Sequence, residues 1–166
     1  MKLVRFGAKG SEKPGFLDAD GAVRDLSGVI DDIVGDTLSD PSLAKLRELD
    51  PGSLPKVDGA IRIGPIGPCL VTRDDVPEPQ NLKMYLEVNG HRYQDGSTKT
   101  MHFDVATVIS HLSQFMSRHP GDVISTGAPP GVGMGQKPPT YLKSGDVMHL
   151  GIDVLGVQTQ TEVAST

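Results

Sequence analysis

Short runs of alternating apolar and polar residues, broken every few positions by Gly, Pro, Asn or Asp, set the rhythm of this chain. The alternation Lys2-Leu3-Val4-Arg5-Phe6 predicts an edge strand. Gly15-Phe16-Leu17 and residues 22–26, joined through Asp18-Ala19-Asp20-Gly21, predict a hairpin with Asp-Gly at its tip. Val29, Ile30 and Ile33 form an apolar patch. Asp40-Pro41-Ser42 then opens a short helix, with Leu43, Leu46 and Leu49 at helical spacing. Residues 50–60 read as a Pro- and Gly-containing connector.

Further strands are predicted at 70–72, 82–88 and 91–94, the last two joined by Asn89-Gly90, where both positions accept positive φ. Asp104 is placed to cap a helix from Val105 to about Ser117, with Val105, Val108, Ile109, Leu112, Phe115 and Met116 on one face. Pro120-Gly121-Asp122 ends it. Residues 123–126 predict a short strand, Gly127 to Pro139 a loop, and residues 146–152 and 157–163 two strands around Gly156. The sum is a mainly β chain with a few helices, an α+β class.

Composition agrees. Among 166 residues there are 20 Gly and 13 Pro, only 4% aromatics and no Trp, so turns are many and the core is aliphatic. The formal charge of −5, with no basic run, argues against nucleic acid as a partner. No stretch has the length of a membrane span and the first residues carry no apolar leader, which predicts a cytoplasmic location and no membrane partner. The single cysteine, Cys69, reads as a small hydrophobe at a strand start rather than a nucleophile.

Candidate chemistry is sparse. The loop Gly127-Ala128-Pro129-Pro130-Gly131-Val132-Gly133-Met134-Gly135-Gln136-Lys137 could bring backbone amides to a ligand. A nucleotide loop would run straight into a helix, whereas Pro138-Pro139 follow here, so a rigid ligand-facing loop or a plain surface turn are the two readings left. His91, His102, His111, His119 and His149 lack metal-ligand spacing. The adjacent pairs Asp31-Asp32 and Asp74-Asp75 read as loop or cap residues. Ser125-Thr126-Gly127 is not a nucleophile elbow.

Two segments carry a resemblance: residues 64–75, with Gly64-Pro65-Ile66-Gly67-Pro68, and residues 121–133, with Ser125-Thr126-Gly127-Ala128-Pro129. Together with Asn81 to Gly90 and Asp95 to Thr98 they resemble the fumarylacetoacetate hydrolase family, including bacterial members often labelled ureidoglycolate lyase. The resemblance divides the chain into an N-terminal β-subdomain with connector (1–63) and the C-terminal part of the family domain (64–166). It implies a mixed β-roll, a homodimer, and a Mg²⁺- or Mn²⁺-dependent hydrolase or lyase of small 2-oxo acids that cleaves a carbon–carbon bond in acylpyruvates. It also assigns Thr126, Gly127 and Ala128 to substrate binding.

The chain departs from that family in one block. The family holds its metal with a Glu-x-Glu strand and a later Asp, and places its catalytic His and Lys before the repeated Gly-Pro. Here Arg62-Ile63 run directly into Gly64-Pro65, no Glu-x-Glu occurs, and no His precedes residue 91. No catalytic residue and no metal ligand can therefore be assigned, and the fold is expected to be an incomplete roll. An internal deletion between two Gly-Pro stretches would leave a catalytically dead remnant or binding module. Ala128 stands where the family has Thr, so the loop keeps an amide and loses a hydroxyl.

Overall fold

The computed structural model describes residues 1–8, 10–57 and 67–164. The described chain divides into two compact units, Met1–Val76 with Met116–Ile124, and Pro77–Phe115 with Ser125–Thr166. The division expected between residues 63 and 64, and the Gly64-Pro65 junction itself, lie outside the described residues.

The first unit is an antiparallel sheet of β1 (Lys2–Phe6), β2 (Lys13–Leu17), β3 (Val23–Asp25), β4 (Lys56–Val57) and β5 (Leu70–Val71), in the order β4-β3-β2-β1-β5. The hairpin turn forms as its chemistry dictates: Gly21 takes φ 76°, and Asp18 Oδ1 accepts from the amides of Asp20 and Ala22. Strand alternation sends Leu3 to one face and Val4 and Phe6 to the other. Leu3 packs with Leu26 and with Leu46 of helix α1 (Asp40–Arg47), while Val4 and Phe6 pack with Val23. β1 is not an edge. Leu70 and Val71 pair with Leu3 and Lys2, covering the side that local patterning left open.

The second unit is a sheet of β6 (Lys83–Val88), β7 (His91–Ser97), β8 (Val147–Ile152) and β9 (Gly156–Thr161), all antiparallel, in the order β7-β6-β8-β9. Asn89 and Gly90 turn β6 into β7 with φ of 51° and 80°. Helix α2 (Val105–Leu112) is capped by Asp104, which accepts from the Thr107 amide at 2.6 Å. This helix stops well short of Ser117. Ser113 caps its end and donates its hydroxyl to the Ser110 carbonyl, and Phe115 is left 70% exposed. Residues 123–126 are not a strand either. They pair with no other strand among the described residues, and Val123 is 71% exposed. No helix is long and apolar enough to cross a membrane, among the described residues.

Candidate functional site

The Gly/Pro loop that follows residue 126 is held against β7 by contacts that only glycine allows. Gly131 has φ 109°, and a Cβ there would overlap the Tyr93 carbonyl. Gly133 lies so close to the Thr140 carbonyl that a side chain would overlap it, while its own carbonyl accepts from the Thr140 amide. Gln94 Nε2 donates to the Pro129 carbonyl at 2.9 Å, and Gln136 Nε2 to the Gly131 carbonyl at 3.2 Å. The loop is thus shaped by β7 and by itself.

Thr126, Gly127 and Ala128 come together along one cavity of about 280 Å³. All three are exposed. Across from them stand Ser97, Thr98, Thr100 and His102, with Met84 from β6. The opposing hydroxyls each make one hydrogen bond within this wall. Thr98 Oγ1 accepts from the Leu82 amide, Ser97 Oγ accepts from the Lys99 amide, and Thr100 donates to the Ser97 carbonyl. Gln80 ties this wall to α2: its Oε1 accepts from the Val105 amide at 2.8 Å, and its Nε2 donates to the Thr98 carbonyl. By contrast, the Thr126 hydroxyl and the amides of Gly127 and Ala128 have no hydrogen-bond partner among the described residues. A cavity wall with free donors and no lining carboxylate suits an anion. Gln80 and the Ser97–Thr100 wall were not evident in the sequence, because the pairing of β6 with β7 that places them carries a register shift between Leu86 and Glu87.

The remaining candidates are dispersed. His91, His102 and His111 lie edge-on to Tyr93, Phe103 and Phe115. His149 bridges Tyr85 OH at 3.1 Å and Thr159 Oγ1 at 3.0 Å. His119 lies beyond the end of α2. Asp32 pairs with Arg5, and Asp74 and Asp75 hold the Met1 ammonium. Burial raises the Cys69 thiol pKa, so the thiolate nucleophile is disfavoured. Among the described residues, no three His, Cys, Asp or Glu side chains are grouped so as to hold a metal ion. The described donor set does not fit a divalent cation.

Residues 39–163 match the family described as Fumarylacetoacetate (FAA) hydrolase C-terminal. A Burkholderia multivorans protein provisionally named as a hydrolase is 36% identical over an alignment of 276 residues, covering 96% of this chain and 98% of that protein. That alignment is longer than the 166 residues present here. A Mycobacterium smegmatis structure provisionally named HpcE is 40% identical with a TM-score of 0.57, over 64% of this chain, which spans only 37% of that one. Maleylpyruvate hydrolase from Sphingobium sp. SYK-6, solved with manganese(II) ion and pyruvate, superposes with a TM-score of 0.76 at 18% identity, covering 100% of each chain, a likeness of fold. The extent of the family match and the identity to the Burkholderia relative lead to one conclusion: the chain belongs to the fumarylacetoacetate hydrolase family.

Proposed function

We propose that this chain descends from metal-dependent hydrolases or lyases of 2-oxo acids, has lost the family's metal-binding block by internal deletion, and does not catalyse acylpyruvate cleavage. The observation that carries the reading is the donor inventory. Divalent-cation chemistry needs several oxygen or imidazole ligands converging on one point, and no such group exists among the described residues. In this reading Thr126, Gly127 and Ala128 remain as a partial carboxylate loop, binding a small 2-oxo acid weakly through amides and one hydroxyl. The manganese and pyruvate of the Sphingobium enzyme make that ligand class the natural one to try. The ureidoglycolate lyase label given to some bacterial members is carried here only as ancestry. The family's homodimer is part of the same proposal, with β9, at one edge of its sheet, as the strand offered to a second copy.

Calorimetric titration with Mn²⁺, followed by an ultraviolet assay of acetylpyruvate, tests it. The expected outcome is no stoichiometric Mn²⁺ binding at micromolar concentration and no turnover. Tight binding of one Mn²⁺ per chain together with acetylpyruvate cleavage would falsify the reading.

A further inference from the structure

The sheet of the second unit carries another cavity, of about 600 Å³, on the other side of the Gly/Pro loop. Ala128 is the one residue of the predicted trio that touches it. Its floor is apolar: Leu86 and Val88 of β6 alternate onto one face, and Met148 of β8 lies opposite Val88 in the register. Tyr93, Val132, Tyr141 and Leu142 wall it. Tyr141 and Leu142 are 65% and 47% exposed, so nothing from this chain's described residues covers that wall.

Polar groups gather at one end, and most are already paired. Asp146 accepts from Asn89 Nδ2 at 2.9 Å and from the Lys143 amide at 2.8 Å. Asn89 Oδ1 accepts from the Val147 amide at 2.9 Å. His91 lies edge-on to Tyr93 with ring centroids 4.6 Å apart. Lys143 differs. Its ammonium makes no ion pair among the described residues, although Asp146 is near enough to attract it. A volume of this size, apolar walls with two tyrosine rings, and a lining lysine outside any ion pair among the described residues suit an amphiphilic anion. A neutral ligand would leave Lys143 unused, and a small polyanion would meet an apolar floor and the Asp146 carboxylate.

We propose that this cavity binds an arylalkyl monocarboxylate, ring inward between Tyr93 and Tyr141 and carboxylate at Lys143. The proposal needs no metal and no turnover, so it stands apart from the reading of the ancestral site.

The test is calorimetry with 4-phenylbutyrate in EDTA, with 4-phenylbutanol as the uncharged match and sedimentation equilibrium at the same protein concentrations. The expected result is saturable one-to-one binding of the acid. About a tenfold loss is expected in Lys143→Ala, with a similar loss for the alcohol on the unaltered chain. Binding should vanish in Val132→Trp, which fills the cavity from an exposed wall position. If that variant loses its far-UV signal, Leu142→Trp takes its place. Absence of saturable binding, equal affinity for acid and alcohol, or binding untouched by the filling variant would each overturn the proposal. So would a dimer that dissociates in Val132→Trp, because the cavity would then house a second copy.

Discussion

Two glycines in one loop separate space from conformation. Gly127 and Gly131 share a positive φ, 102° and 109°, but only Gly131 faces a backbone oxygen where a Cβ would go. Gly127→Ala should therefore cost about 1–2 kcal/mol in backbone strain alone. Gly131→Ala adds an overlap with the Tyr93 carbonyl and should cost about 3–5 kcal/mol. Urea denaturation of both variants checks the order. A reversal would mean that the loop does not sit on β7. Acid sensitivity belongs to this scale too. The Asp74 carboxyl is held well below the usual range by the Thr72 hydroxyl at 2.6 Å and then by Arg47 at 2.8 Å. Because the folded pKa is depressed, the contribution is present above the unfolded value of roughly 3.9 and is lost as pH falls below it. Thermal midpoints should decline as pH falls from about 4 to about 2. Asp74→Asn should flatten that decline; an unchanged slope would remove Asp74 from the account.

Among the elements, the β6–β7 turn is the best specified and the best anchored. Asn89 supplies a left-handed φ and also links β8, through Asp146 Oδ1 and the Val147 amide. Asn89→Ala should destabilise by about 2 kcal/mol, combining the lost φ preference with a lost hydrogen-bonded link. Asn89→Gly, which restores the φ but not the link, should recover roughly half, as urea midpoints would show. This turn was legible in sequence because its information is local: two adjacent residues state the conformation. The strand expected at 123–126 and the extension of α2 past Leu112 were misread for the opposite reason. Strand and helix patterns there are clear, but a strand needs a partner and an apolar helix face needs a surface. Val123, Phe115 and Met116 are all exposed instead. The loop at Gly127–Pro139 could be singled out from composition, and its Gly127 and Ala128 line one cavity with Thr126, the residue before it. The opposite wall could not, since Gln80 and Thr98 meet only through long-range pairing.

Viewed as a whole molecule, burial is unequal. Every hydrophobic side chain of the buried core among the described residues, Leu3, Val4, Phe6, Val23, Leu26 and Leu46, lies in the first unit. In the second, among the described residues, only Gly151 and Gln158 reach that degree of burial. Protection from solvent follows buried apolar contact more than hydrogen-bond count. Hydrogen exchange should then show β1, β2 and β3 exchanging at least tenfold more slowly than β6 and β8. Equal protection would mean that the second unit has covering partners in solution, as a dimer would supply.

A gene relieved of turnover but still required to fold would record the difference between the two sides of this loop. If turnover is lost, as proposed, natural variants would drift at Ala128. They would keep Gly131 and Gly133 fixed, because the Tyr93 and Thr140 carbonyls reject every other residue. Selection acting on shape alone would leave that signature in related genomes long after any chemistry had ceased.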